Sequence, residues 1–339
     1  MLRLKRQLSV AMVAVLGVAV TAVVTSSVAV ADPQLPPARD RLVAGYGGVP
    51  ISVAEYGPEP SAAPTVVLVH GYPDDMTVWN KVIPLLADKY HVVNYDPRGS
   101  GASGHPTAVA DYELPKLSAD FEAVIDATAP GQAVHVLAHD WGAIQTWESA
   151  ARIPQRIASF TFISGPSLDL SGLAIKRAMA NPSAYLQLID QLIRSSYIQL
   201  LDLPLIPELL WDTGLAEAVF STLVWLEGGN RPPGYPPADG AAQANLYRAN
   251  VNARTNNPTY DHVTVPVVQQ IVATNDPFVG PLLTDQLEQQ VPVLWRRTVD
   301  TGHWAQTEDP VDIAQFTTQL IEHQEHGGPT PPGVVVPKN

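Results

Sequence analysis

The sequence predicts an α/β protein: a mostly parallel, twisted sheet flanked by helices, with a helical cap inserted between its later strands. Three features predict it. Short runs of Val, Ile and Leu recur without polar alternation, as strands buried on both faces require. Helical patterns separate these runs, as crossovers between parallel strands do. One long Leu-rich segment, residues 166–262, breaks the alternation and carries no strand signal.

Taken in order, residues 32–40 (D-P-Q-L-P-P-A-R-D) are too rich in proline for a regular element and form an extended lead-in. Leu42 to Gly57 reads as two short strands around the turn-forming pair Gly47-Gly48. Thr65 to Val69 is a strand, Val78 to Ala87 a helix and His91 to Tyr95 a strand. Leu117 to Thr128 is an amphipathic helix, with Leu117, Phe121, Val124 and Ile125 on one face. Val134 to Ala138 is a strand, Gly142 to Arg152 a helix and Ile157 to Ser164 a strand. The insertion from about Pro166 to His262 carries helices at Tyr185 to Leu201 and Ala216 to Trp225, and a proline-glycine loop at Arg231 to Gly240. Val265 to Ala273, a helix near Leu282 to Gln290, Val293 to Val299 and a helix from Val311 to His323 complete the core, which comprises residues 41–165 and 263–325. Residues 327–339 (G-G-P-T-P-P-G-V-V-V-P-K-N) read as a flexible tail.

The chain has 339 residues and no cysteine, which excludes disulfides, thiolate metal sites and a cysteine nucleophile. A net charge of −13 without a basic stripe argues against a nucleic-acid partner. Arg3, Lys5 and Arg6 precede an apolar run from Leu8 to Val24, followed by Ala29-Val30-Ala31 and Asp32-Pro33. This is the pattern of a signal peptide spanning residues 1–31, whose removal takes the charge from −13 to −16. The alternative is retention of the run as an anchor; a secreted or cell-envelope protein is expected either way. With the leader cleaved, no stable membrane insertion is expected.

Ligands of open parallel sheets bind beyond the carboxyl ends of the strands. Three acid or base residues lie at such ends. In V-H-V-L-A-H-D-W-G-A, Asp140 follows an apolar strand and precedes a helix, with small residues at Ala138 and Gly142. This is the spacing of a nucleophile elbow with aspartate in place of serine, and a carboxylate there can attack carbon to form an ester. The competing role is capping of the following helix. The turn His70-Gly71-Tyr72-Pro73 can present the Tyr72 N–H, which with the Trp141 N–H would form an oxyanion hole. Asp276 (T-N-D-P) and His303 (D-T-G-H-W) follow later strands. Asp276 could instead start a turn, and Asp285 or Asp300 could replace it as the acid orienting His303. His323 and His326 suggest a metal by their spacing, but they lie at a charged helix end and read as solvated. His70 and His139 read as structural members of their turns.

The order Asp140, Asp276, His303 and the surrounding motifs resemble the α/β-hydrolase-fold epoxide hydrolases, from about residue 41 to 325. His70-Gly71-Tyr72-Pro73 resembles that family's HGxP turn, Asp96-Pro97-Arg98-Gly99-Ser100-Gly101 its D-x-R-G-x-G loop, and His139-Asp140-Trp141-Gly142 its elbow. V-L-A-H-D-W-G and N-L-Y-R-A-N are most similar to the actinobacterial members often fused to a short-chain oxidoreductase. The resemblance implies two cap tyrosines, Tyr197 in S-Y-I-Q-L-L-D-L-P and Tyr247 in N-L-Y-R-A-N, that hydrogen-bond an epoxide oxygen. It implies a small-molecule epoxide as substrate and no metal or organic cofactor, and the cap stretch L-L-D-L-P-L-I-P-E-L-L-W suggests that the substrate is apolar. Haloalkane dehalogenases share the aspartate elbow, but a halide-stabilising Asn or Glu is expected where this chain has Tyr72. A non-catalytic scaffold used for binding is the remaining alternative, and such proteins commonly lose the acid or histidine retained here.

A leader cut after Ala31 leaves Asp32 as the first residue of the exported protein. N-terminal sequencing of material from the culture supernatant should read D-P-Q-L; intact Met1 recovered in a membrane fraction would indicate the anchor.

Overall fold

The apolar runs become strands β1 (Arg39–Ala44), β2 (Pro50–Tyr56), β3 (Thr65–Val69), β4 (His91–Tyr95), β5 (Val134–His139), β6 (Ile157–Ile163), β7 (Val268–Ala273) and β8 (Leu294–Val299). In the computed structural model, which describes residues 34–226, 236–331 and 334, they form one sheet in the order β1-β2-β4-β3-β5-β6-β7-β8. β1 and β2 pair antiparallel, as does β2 with β4, and every later pairing is parallel. The expected leader and residues 231–235 of the proline-glycine loop lie outside the described residues. Among the described residues, no helix is long and apolar enough to cross a membrane.

Both faces of the sheet are covered, which is why its strands need no polar alternation. Val67, Val69, Val93, Val136 and Ala138 face one way, onto Phe121, Val124 and Ile125 of α2 (Leu114–Thr128) and Trp147 of α3 (Trp141–Arg152). Val66, Leu68, Val92 and Leu137 face the other way. There they meet Ile83 and Leu86 of α1 (Ile83–Leu86) and Ile313 and Ile321 of the terminal helix (Pro310–His326).

Between β6 and β7 the chain runs through six described helices: α4 (Leu168–Ala180), α5 (Tyr185–Arg194), α6 (Ile198–Asp202), α7 (Ile206–Asp212), α8 (Leu215–Leu226) and α9 (Pro237–Asn256). The single turn α10 (Ala305–Glu308) and the long helix α11 (Pro310–His326) complete the fold. Trp211, Leu246 and Tyr247 of the insertion join Tyr72, Tyr112 and Trp141 of the core in one apolar cluster at the carboxyl ends of the strands.

Several expected elements differ. The helix expected over Val78 to Ala87 is a 3₁₀ turn at Met76–Trp79 followed by the single turn α1. That expected near Leu282 to Gln290 is two 3₁₀ turns, Pro281–Thr284 and Leu287–Gln289, separated by Gln286 at φ 60°, a left-handed conformation that ends a helix. Tyr185 to Leu201 is broken after Arg194, so that Tyr197 sits at the junction of α5 and α6 rather than within one helix. Of the tail, residues 332–333 and 335–339 lie outside the description, and Val334 packs on the cluster of Val267, Trp295 and Leu320.

The loop after β4 is pinned by a buried ion pair. Arg98 donates through Nε and Nη2 to the two carboxylate oxygens of Asp120, at 2.6 and 2.7 Å, and both side chains are about 2% exposed or less. The same guanidinium holds the carbonyls of Asp111 and Tyr46, so one residue ties three loops together. Removing one partner of such a pair strands the other charge in the interior. Asp120→Ala should therefore lower the unfolding free energy by about 3–5 kcal/mol in urea titrations.

Candidate active site

The turn between β5 and α3 has no spare room. Asp140 adopts φ 50°, ψ −124°, a conformation that costs a non-glycine residue about 1–3 kcal/mol. A Cβ at Gly142 would lie 2.2 Å from the Val69 carbonyl oxygen, and one at Gly71 would lie 2.5 Å from Asp140 Oδ1 and 2.6 Å from the Trp141 nitrogen. Two neighbouring strand ends are thus pressed together with the Asp140 carboxylate between them. That carboxylate does not cap α3. Its Oδ1 instead accepts the Tyr72 N–H at 2.8 Å, which settles where the side chain points.

On the other side, His303 Nε2 lies 3.6 Å from Asp140 Oδ2, and His303 Nδ1 lies 3.0 Å from Asp276 Oδ2. Asp276 also accepts the Phe278 and Val279 N–H groups on Oδ1, at 2.8 and 3.1 Å. It therefore both shapes its turn and faces the imidazole. Asp285 and Asp300 are exposed, and Asp300 accepts from Thr274 and Asn275 instead. All members of the Asp140–His303–Asp276 row are buried. Burial alone would lower the His303 pKa, yet the carboxylates of Asp276 and Asp140 raise it well above the ordinary histidine range. For Asp276 burial pushes upward, and the His303 charge with its hydrogen bond brings the carboxyl below its usual value.

The insertion supplies the roof. The Tyr247 ring packs 4.9 Å from that of Trp141 and 5.3 Å from that of Tyr72, and Tyr197 lies 6.0 Å from Tyr247 between centroids. Phe278 bridges Tyr197 and His303, with centroids 5.2 and 4.9 Å away. Burial raises the pKa of both tyrosines, followed by the Asp140 charge for Tyr197 and by Tyr197 and then Asp140 for Tyr247, so their phenols keep their protons. The seven residues singled out in the sequence, Asp140, His303, Asp276, Tyr197, Tyr247, Tyr72 and Trp141, thus converge on one place.

The two histidines read as structural are buried in supporting positions. His70 packs its ring nitrogens against Ser100 Oγ (3.2 Å), Asp96 Oδ1 (3.3 Å) and the Gly71 carbonyl (3.0 Å). His139 has its pKa pushed down to about 3 by burial and then by the neighbouring His303 charge. It is therefore neutral, and its Nε2–H donates to the His303 carbonyl at 3.0 Å. His323, at the far end of α11, packs on the Trp295 ring.

Sequence reasoning missed the polar ties between these parts. Trp304 Nε1 donates to Asp74 Oδ2 at 2.8 Å, joining the loop of His303 to the turn of Tyr72. Gln243, one helical turn before Tyr247, donates to the Asp74 carbonyl at 3.2 Å, and Trp211 donates to the Tyr72 hydroxyl at 2.9 Å. The Asp74–Trp304 pair spans 230 residues, and no local pattern signals it.

Residues 64–310 match the family described as alpha/beta hydrolase fold. The chain belongs to the α/β-hydrolase fold family. Among curated relatives, Probable oxidoreductase EphD of Mycobacterium tuberculosis is 37% identical over 297 residues, covering 81% of this chain and 48% of that protein. Epoxide hydrolase A of the same species is 33% identical over 201 residues, 58% of this chain and 56% of that one. The chain therefore spans about half the length of these curated relatives. A crystal structure of an epoxide hydrolase from Vigna radiata shares the fold at 24% identity and a TM-score of 0.63, covering 84% of this chain and 98% of its own. An epoxide hydrolase from Bacillus megaterium does so at 20% identity and a TM-score of 0.67, covering 83% and 100%.

Because two carboxylates hold the imidazolium in this hydrolase-fold site, removing one should release it. Asp140→Asn should lower the His303 pKa, read by NMR titration of the imidazole. The stability that His303 contributes is present in full below the unfolded-state value near 6.5 and is lost as pH rises through the raised folded-state value. The same substitution should move that loss to lower pH in thermal melts.

Proposed function

We propose that the protein hydrolyses epoxides to vicinal diols through an ester on Asp140. The observation that carries this reading is a buried carboxylate with an imidazole on one side and two protonated phenols packed over it. Tyr72 N–H holds Oδ1, leaving Oδ2 as the attacking oxygen. Oδ2 bonds to an epoxide carbon, the C–O bond of the ring breaks, and its electron pair moves onto oxygen. Tyr197 and Tyr247 stabilise that oxygen and one of them protonates it.

Esterification removes the negative charge on Asp140. His303 then loses one of its two carboxylate partners, its pKa falls, and it releases its proton to solvent and becomes a base for water. The resulting hydroxide adds to the ester carbonyl carbon. The oxyanion forms on Oδ1, already beside the Tyr72 N–H, with the Trp141 N–H in the same cleft. Collapse breaks the bond to the diol oxygen, which takes its proton from His303; the proton left on the Asp140 carboxyl passes to His303, and a solvent proton restores the tyrosine. One water is consumed, and none of these steps calls on a metal or organic cofactor.

The resemblance to proteins named epoxide hydrolase supports this assignment, as does the aromatic and apolar lining, which suits an apolar substrate. A scaffold serving only to bind would have no need for the acid–histidine row. The phenols also distinguish epoxide from haloalkane chemistry, since a departing halide needs no proton.

The test is a pair of variants with an aryl epoxide. His303→Gln should accumulate protein heavier by the mass of the epoxide, mapped to Asp140 by peptide sequencing. The double variant Tyr197→Phe/Tyr247→Phe should lose at least the factor of about 10²–10³ expected for one lost donor to a developing oxyanion, or about 2.7–4 kcal/mol. An adduct on another residue, or full activity in the double variant, would overturn the mechanism.

A further inference from the structure

Helix α5 touches none of the reacting atoms, yet its inner face is bound to the loop that carries Asp276. Gln191, 3% exposed, accepts the Gly280 N–H at 2.8 Å and donates to the Phe278 carbonyl at 3.0 Å. Its amide also donates to Ser195 Oγ at 2.9 Å, in the turn that leads to Tyr197. One helical turn after Gln191 in the same direction, Arg194 donates to the Asp276 carbonyl at 2.6 Å and is itself held by Asp190 at 2.7 Å. The outer face of the helix carries Leu186 and Ile189, both exposed.

Asp276, Phe278 and Gly280 thus hang by their backbone from two side chains of the insertion. The loop between them shapes the acid: Asp276 Oδ1 binds N–H groups of this same loop, while Oδ2 faces His303. Phe278 lies between His303 and Tyr197. Three residues after Arg194 the chain delivers Tyr197 itself.

We infer that Gln191 and Arg194 are positioning residues that lock the acid loop to the helix delivering Tyr197, so that the His303–Asp276 contact and the phenol are set by one rigid unit. Buried amides that satisfy a donor and an acceptor of a loop hold it in one conformation, because any displacement leaves polar groups unpaired. Neither residue acts on substrate. The geometry stands without any assumed reaction; the kinetic part of the test rests on the epoxide reading.

Gln191→Met keeps the side-chain length and removes both loop contacts. In the substrate-free protein, the downfield NMR signal of the His303 Nδ1 proton should broaden or vanish. With styrene oxide, hydrolysis of the Asp140 ester should slow by about tenfold, the scale of one to two lost hydrogen bonds. The acid limb of the kcat–pH profile should move to lower pH, because a looser Asp276 supports the imidazolium less. Arg194→Met should behave in the same way, and Arg194→Lys, which keeps a donor near the Asp276 carbonyl, should recover most of the difference. Ile189→Ala, on the exposed face of the same helix, should leave all three readings at wild type.

A folded Gln191→Met with unchanged proton signal, pH limb and ester hydrolysis would overturn the inference. If that variant does not fold, the Arg194 pair decides: Lys and Met behaving alike would overturn it, and recovery by Lys would support it. If the wild type forms no ester with epoxides, the functional reading fails, and the proton signal alone decides the positioning role.

Discussion

The arrangement depends on the close approach of two strand ends at Asp140. Gly71 and Gly142 leave no atom where a side chain would be, which lets the turn after β3 and the start of α3 come together around one carboxylate. The strained backbone of Asp140 lifts that carboxylate out of the sheet rather than along it, and the Tyr72 N–H receives it. A larger residue at either glycine would push the turn away and remove the Tyr72 backbone donor from Oδ1. The proposed oxyanion and nucleophile positions are therefore one feature of packing, and the strain is held by the sheet beneath, whose Val and Leu side chains fill both faces.

The second level of organisation is electrostatic. Burying a histidine beside two aspartates would be costly for any of the three alone, since desolvation opposes each charge. Together they compensate, and the charged state of His303 comes to depend on the charge of Asp140. The chemistry proposed for the site uses that dependence: the step that neutralises Asp140 is the step that makes His303 a base. Below them the neutral His139 contributes a donor to the His303 carbonyl without adding a competing charge.

The insertion is joined to the core by polar side chains placed close to its tyrosines. Gln243 and Trp211 hold the turn of Tyr72, and Gln191 and Arg194 hold the loop of Asp276. Asp169 and Arg254 tie its two ends together, and Arg254 also reaches Glu148 of α3 at 2.7 Å. Apolar packing alone would allow the roof to slide; hydrogen bonds to particular carbonyls and N–H groups do not. The phenols are in this way held in register with the carboxylate beneath them.

What the sequence by itself determined was local. Unbroken β-branched runs marked the buried strands, small residues around Asp140 marked the elbow, and the order of Asp140, Asp276 and His303 at strand ends marked the candidate site. Each of these follows from backbone sterics or from the side-chain demands of one element. Other features were decided by tertiary structure. Asp276 faces His303 because its other oxygen is held by the Phe278 and Val279 N–H groups, whereas Asp285, further along the same connection, and Asp300 face solvent. The stretch Leu282 to Gln290 has apolar residues enough for a helix, but Gln286 turns left-handed there and the segment remains two short turns. Gln191 and Asp74 look like ordinary polar residues in the sequence. Their roles come from partners 87 to 230 residues away, and only the folded chain pairs a buried polar group with a particular distant one.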